Sequence, residues 1–281
     1  MIGMTDSTYI SGDEMLATTG WLAGHLNDPG IRIVDTRKDE GYLTSHIPGA
    51  IALHAPPYLR ENGDVLGVDA FAALMSGLGI GHDTTVVAYD DGNNLFAARL
   101  WWVLNYYGHS RVKVLDGGWD LWVAEARPVE SGFVAPHARE FTADRQDDWI
   151  AETAYVQTSI GQPERVILDV RSDEEWSRIE QTNTTQPGHI PGARHLVWSD
   201  VIDPETKRFK PINTLRRMFS EAGAAPDKEV IPYCQAGIRA AHTIFALKLA
   251  GFGKVRNYEG SWIAWSKSGL SVESAMASEN T

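Results

Sequence analysis

Four short segments of this sequence occur twice, in the same order and at nearly one spacing. Ile31-Arg32-Ile33-Val34-Asp35-Thr36-Arg37 matches Val166-Ile167-Leu168-Asp169-Val170-Arg171, with the aspartates 134 positions apart. His46-Ile47-Pro48-Gly49-Ala50 matches His189-Ile190-Pro191-Gly192-Ala193 at an offset of 143, and Tyr89-Asp90 matches Tyr233-Cys234 at 144. Asp116-Gly117-Gly118-Trp119 matches Glu259-Gly260-Ser261-Trp262 at 143. A repeat of this kind restricts the fold more than composition does, because any structure proposed for the first copy must also be built by the second. The length, 281 residues, suits two domains of ordinary size. The expected division is 1–140 and 141–281, with a charged connector near 136–148. The step in offset from 134 to 143 locates a nine-residue insertion in the second copy, around 179–187, where the chain is polar.

Within each copy, short apolar runs alternate with helix-periodic stretches. A helix is expected over 11–29, capped by Ser11, and a buried strand over 31–37. A second helix is expected over 69–79, capped by Asp69 and stopped by Gly79, with a strand at 84–89. A long apolar helix over 95–107, a strand at 112–115 and a short helix through Trp122 follow. Alternation of this type predicts an α/β fold: two tandem domains, each an open, mostly parallel sheet with helices on both faces. In such sheets the site lies at the carboxyl ends of the strands, where Asp35, Asp90, Asp169 and Cys234 fall.

Cys234 is the single cysteine in the chain. The run Val230-Ile231-Pro232-Tyr233 enters it as a strand, and a helix with a strongly apolar face leaves through Ala240, Ala241, Ile244 and Phe245. A strand, tight loop and helix turn the unsatisfied N–H groups of the first helical turn, and the positive end of its dipole, toward one point. The expected result is an anion cradle with sulfur at its floor. Helix N-termini and neighbouring cations favour the thiolate, which is the nucleophile. The sulfur is expected to lie open to solvent between the two halves. One cysteine excludes an internal disulfide and a cysteine metal cluster. The net charge of −12 argues against a nucleic-acid partner or an anionic membrane surface. The N-terminal residues lack the apolar run of a signal peptide, and no stretch is apolar enough to span a membrane. The cytoplasm is the expected setting for a reactive thiol.

Asp169-Val170-Arg171, Gly188-His189-Ile190-Pro191-Gly192-Ala193, the loop Cys234-Gln235-Ala236-Gly237-Ile238-Arg239 and Tyr258-Glu259-Gly260-Ser261-Trp262 together resemble the tandem-domain rhodaneses, the thiosulfate/3-mercaptopyruvate sulfurtransferases. The resemblance runs from about Leu22 to Ser266. It implies a catalytically silent first domain, with Asp90 at the cysteine position, and a second domain in which Cys234 accepts sulfur. It further implies that Gln235, Ala236, Gly237, Ile238 and Arg239 form the active-site and substrate-binding loop. Sulfur-transferring members use a six-residue loop, and related phosphatases use seven; Cys234 to Arg239 is six. The loop sequence differs from those of the animal thiosulfate and mercaptopyruvate enzymes and is closer to bacterial loops that end in arginine. The family's substrate-binding arginine falls at Glu175 here, and Arg178 is the candidate substitute. The implied activity transfers a sulfane sulfur from thiosulfate to cyanide or a thiol through a Cys234 persulfide, with no metal or organic cofactor. The alternatives are 3-mercaptopyruvate as donor, a phosphatase-like enzyme on the same fold, and a non-catalytic sulfur-relay module.

Arg239 is expected to bind the sulfonate or carboxylate of the donor, with a structural pairing to a nearby acid as the alternative. Asp35/Arg37 and Asp169/Arg171 occur in both copies, including the one without cysteine, which argues for buried structural pairs. By the same reasoning His46 and His189 are satisfied turn residues, and Trp119 and Trp262 are core anchors. Trp198 has no match in the first copy and suits either the mouth of the site or the contact between halves.

Overall fold

The computed structural model describes residues 12–53, 59–177 and 186–273. Each half contains a parallel sheet. In the first, five strands run in the order Leu16–Ala17, Val112–Leu115, Thr85–Tyr89, Ile31–Asp35, Ile51–Ala52, every pair parallel. In the second, Glu229–Tyr233 pairs with Arg165–Asp169, which pairs with Arg194–His195. Single parallel bridges, Val230 to Val255 and Ile150 to Asn257, continue that sheet on the side where the first half has two strands. The repeat in sequence is thus a repeat in topology.

Side-chain alternation along the strands divides the interior into three layers. Ile33 and Val87 face a cluster with Leu22, Ile47 and Trp122, while Val34, Val86 and Ala88 face the opposite way. In the second half Ile167, Ile231 and Tyr233 face a cluster with Tyr258, Trp262 and Trp265, while Leu168 and Val230 face away from it. The inner faces of both sheets share one continuous apolar cluster. Its centre is a pair of helices, Leu95–Tyr106 and Ile238–Leu249, buried around nearly their whole circumference. A helix apolar on all sides needs cover on all sides, and these two supply part of it to each other; Trp101 meets Phe245 edge-on at 4.9 Å.

The repeated Asp-x-Arg pairs are structural. Arg37 Nη2 donates to Asp35 at 2.7 Å and to the carbonyl of Ser45 at 2.6 Å. Arg171 Nη2 donates to Asp169 at 2.6 Å and to the carbonyl of Gly188 at 2.8 Å. Each guanidinium lies over its own tryptophan, Arg37 over Trp119 at 4.0 Å and Arg171 over Trp262 at 4.6 Å. The histidines follow the same logic: His46 Nδ1 bonds the carbonyl of Tyr42 at 2.9 Å, and His189 stacks on Trp176 at 3.7 Å.

Two expected boundaries differ. The helix expected over 11–29 is Gly12–Met15, a strand Leu16–Ala17, and a second helix Thr19–Ala23. Leu16 and Ala17 pair with Val114 and Leu115 as an edge strand, and Thr18 caps the second helix by accepting from the Trp21 amide at 3.0 Å. The expected cap Ser11 lies outside the described residues. The helix expected from Asp69 is Val68–Gly77 with Gly67 at its N-cap, so Asp69 lies in the first turn, facing the dipole. Most of the expected insertion also lies outside the described residues.

Between the halves, His242 is fully buried against Phe209 and Trp198, and its Nε2 donates to the carbonyl of Asn93 at 3.0 Å. Trp198 is partly buried against the apolar cluster shared by the halves and meets the His242 ring edge-on. Burial lowers the His242 ring to about 4, against the pull of that carbonyl. Between pH 6.5 and 4 the unfolded chain takes up a proton that the native chain refuses, so this contribution is intact above about pH 6.5 and is lost as pH falls toward 4, by about 3 kcal/mol in all. Urea unfolding across that window should show a steep acid loss of stability, and His242→Gln, which keeps an N–H donor, should flatten it.

Candidate active site

The strand Glu229–Tyr233 ends immediately before Cys234, and the helix Ile238–Leu249 begins four residues later. Gly237 at the N-cap has φ +78°, and a Cβ there would lie 2.5 Å from a carboxylate oxygen of Glu259. Both facts require glycine. The loop is pinned from below by Ser261, whose hydroxyl accepts from the amides of Cys234 at 3.1 Å and Gly237 at 2.9 Å and donates to the carbonyl of Tyr258 at 2.7 Å. The amides of Ile238, Arg239 and Ala240 have no main-chain acceptor among the described residues, as the first turn of a helix dictates.

The first copy shows where such amides converge. Asp90 Oδ1 accepts from the amides of Gly92 at 2.8 Å and Asn94 at 2.9 Å, and Oδ2 accepts from Phe96 at 2.7 Å and Ala97 at 2.8 Å. Burial pushes the Asp90 carboxyl up to about 6 against the pull of those four donors. The first cradle is filled by its own side chain, as the sequence led us to expect. It is also one residue longer. The strand ends Tyr89 and Tyr233 are 144 apart, whereas the helix starts Leu95 and Ile238 are 143 apart. The additional residue is accommodated by Asn93 and Asn94, both at positive φ.

Cys234 is 1% exposed and belongs to the apolar cluster shared by the halves. This corrects the expectation of a sulfur open to solvent: the loop rim and the packed halves close over it. Gln235, Ala236, Ile238 and Arg239 form a partly exposed rim above it. The cation nearest in effect to the sulfur is Arg239, whose guanidinium interacts electrostatically with Cys234. The same guanidinium holds Glu175 through two bonds, Nη1 to Oε2 at 2.5 Å and Nη2 to Oε1 at 2.9 Å. Burial alone would lower the Arg239 pKa; the Glu175 carboxylate and the sulfur outweigh it and raise the value. For Glu175 burial works upward, and Arg239 overcomes it and holds the carboxyl below its ordinary range. The structural pairing weighed for Arg239 is therefore present, together with an electrostatic interaction with the sulfur. Arg178 lies outside the described residues.

Beneath the loop, three charges from both halves meet. Glu259, 2% exposed, takes two bonds from Arg99, at 2.8 and 2.7 Å, and lies 3.0 Å from Arg60 Nε. Arg60 also donates to the carbonyl of Ala236 at 2.6 Å. Asn257 Nδ2 bridges Glu259 and the carbonyl of Gly237, at 2.9 and 3.0 Å. Sequence reasoning did not single out Arg60, Arg99, Asn257 or Ser261. A signal was present in the repeat, at the places where the copies disagree: Ser261 stands where the first copy has Gly118, and His242 where it has Arg99. Gly118 has no room for a side chain, since a Cβ would lie 2.4 Å from the carbonyl of Asp90.

Comparison with known proteins bears on this arrangement. The rhodanese-like domain family matches residues 18–125 and again 152–268. A thiosulfate sulfurtransferase of Corynebacterium glutamicum is 37% identical over 270 residues, covering 90% of this chain and 87% of that one. A sulfur carrier protein of Thermus thermophilus, TtuD, is 34% identical over 274 residues, covering 90% and 93%. Among solved structures, SseA of Escherichia coli, described as a 3-mercaptopyruvate sulfotransferase, superposes with a TM-score of 0.78 at 28% identity, covering 88% of this chain and 98% of that one.

The Ser261 hydroxyl is the acceptor for two buried loop amides, and an orphaned buried donor costs about 1–3 kcal/mol. Ser261→Ala should lower stability in chemical denaturation by about 2 kcal/mol and slow alkylation of Cys234, because the loop loses its anchor.

Proposed function

The chain belongs to the rhodanese family of sulfurtransferases, and on that premise we propose that it moves a sulfane sulfur from thiosulfate to a thiol or cyanide through a persulfide on Cys234. The observation that carries this reading is the equivalence of two strand-to-helix turns. In one, four main-chain N–H groups close on the Asp90 carboxylate; in the other, Cys234 takes that position in a shorter loop. A cradle built for an anion, with sulfur in place of the anion, suits a thiolate and then a persulfide.

In the first half-reaction the Cys234 thiolate attacks the outer sulfur of thiosulfate. A sulfur–sulfur bond forms, the bond to sulfite breaks, and sulfite leaves with the electron pair. In the second, the acceptor attacks the terminal sulfur and Cys234 leaves as thiolate. Charge is conserved and no proton transfer is needed in either step when thiosulfate and cyanide are the partners. The loop Gln235-Ala236-Gly237-Ile238 forms the wall of the cradle in this reading: Gly237 is tied below to Ser261 through its amide, the amides of Ile238, Arg239 and Ala240 are left to face the sulfur, and the Arg239 guanidinium balances charge on sulfur and on the departing group. The first half is the silent copy, because Asp90 occupies its own cradle and a carboxylate does not form a persulfide.

Two observations favour second readings. The likeness to SseA supports 3-mercaptopyruvate as an alternative donor. The likeness to TtuD supports a relay in which a protein thiol is the acceptor. With one cysteine in the chain there is no internal resolving thiol, so either route discharges the persulfide to an external acceptor.

Incubation with thiosulfate, and separately with 3-mercaptopyruvate, should add one sulfur atom to the intact mass of the protein. Cys234→Ser should gain none, and cyanide should remove the added sulfur as thiocyanate. Failure of both donors to load the wild-type chain defeats the reading.

A further inference from the structure

Among the described residues, Arg60 and Arg99 share Glu259 beneath the Cys234 loop, and Arg239 lies at its rim. Arg239 is also the one committed to a carboxylate of its own. Glu175 is 7% exposed along its side chain, and both of its oxygens are on the guanidinium. The carboxylate is itself held in place: Oε2 accepts from the Ser172 amide at 3.0 Å, and the Ser172 hydroxyl accepts from the Glu175 amide at 3.3 Å, a capping box on the helix Asp173–Trp176. The carboxylate is therefore part of a preformed frame. Neighbouring Arg171 acts on Glu175 only through space, since its guanidinium hydrogen-bonds Asp169.

Resting on the sulfurtransferase reading, we infer that Glu175 is a specificity-determining residue: by neutralising Arg239 at the rim, it sets the site against each additional negative charge on the donor. The physical basis is Coulombic. A donor entering over the rim meets an ion pair, and its gain from Arg239 is offset by Glu175 a few ångströms further on. The offset scales with donor charge, so a dianion such as thiosulfate feels twice the effect of a monoanion such as 3-mercaptopyruvate, and a neutral reagent feels none. In fold-change, the effect on the dianion is the square of the effect on the monoanion.

Glu175→Gln removes the charge and retains the capping geometry, because the amide oxygen still accepts from Ser172. The variant should lower KM for 3-mercaptopyruvate about threefold and for thiosulfate about tenfold, with kcat little changed, and both effects should shrink in high salt. A second measurement needs no sulfur transfer. The rate of Cys234 alkylation by anionic iodoacetate, divided by the rate with neutral iodoacetamide, should rise about threefold in Glu175→Gln. It should stay at the wild-type value in Glu174→Gln, where the exposed neighbour is neutralised. Equal KM shifts for both donors, a fall in kcat without a KM split, or an unchanged alkylation ratio would each overturn the inference. A wild-type chain that loads no sulfur while Glu175→Gln raises the alkylation ratio would overturn the sulfurtransferase reading alone and leave the charge assignment standing.

Discussion

The buried carboxylate of Glu259 is the point on which the two halves and the reactive loop depend together. A charge sequestered to this degree is tolerated only with full pairing, and removing one partner of such a group costs about 3–5 kcal/mol. Its partners here are Arg99 and Arg60, both from the first half, and Asn257 from the second. The halves therefore cannot separate without exposing or orphaning it. The same carboxylate excludes any side chain at Gly237, and Arg60 reaches past it to the carbonyl of Ala236. The posture of the Cys234 loop is thus set partly by residues of the half that has no cysteine. The half without a cysteine is in this way a structural component of the loop.

The second copy uses the inherited geometry differently. In both, a strand-end tyrosine accepts from the turn after the histidine, Ile47 to Tyr89 and Ile190 to Tyr233. In both, the tryptophan of the Gly-x-Trp turn donates its amide to the carbonyl of the cradle residue, Trp119 to Asp90 at 2.9 Å and Trp262 to Cys234 at 3.0 Å. The contacts across the halves are reciprocal but unequal. Asp116 accepts from the Phe209 amide at 3.1 Å and has Arg208 at 3.9 Å, where its counterpart Glu259 has two close arginines. Arg99 and His242, at matching helix positions, reach into opposite halves, one as a permanent cation and the other as a neutral ring. Charge has accumulated on the side of the cysteine.

Much of this was legible in the sequence, and for identifiable reasons. Strands such as 85–89 and 229–233 carry the short apolar runs Val86-Val87-Ala88 and Val230-Ile231 bounded by polar turns, and both helices at the centre are mostly apolar, so local pattern and tertiary burial agree. The edge strand Leu16–Ala17 was not legible, because two residues carry no period and their partner lies almost a hundred positions away. The loop, its cysteine and the self-filled Asp90 cradle followed from the repeat. The pairing of Arg239 with Glu175 did not, since an ion pair across 64 positions leaves no local trace. The burial of Cys234 was missed for a similar reason: local sequence locates a helix N-terminus but not what packs over it.

That burial has a consequence for the order of events in the proposed reaction. The sulfur at rest is 1% exposed, which in the proposed reaction favours a small donor over a bulky thiol. A sulfur–sulfur bond is about 2.05 Å long, and a persulfide places its terminal atom that much nearer the rim of Gln235, Ala236, Ile238 and Arg239. The acceptor then meets an atom that did not exist before loading. On the proposed reading, the packing that buries the resting thiol also limits its access to bulky thiols, and the chain holds no second cysteine to take the sulfur on. In the proposed reaction, depth acts on bulky thiol acceptors, and charge at the rim acts on the donors.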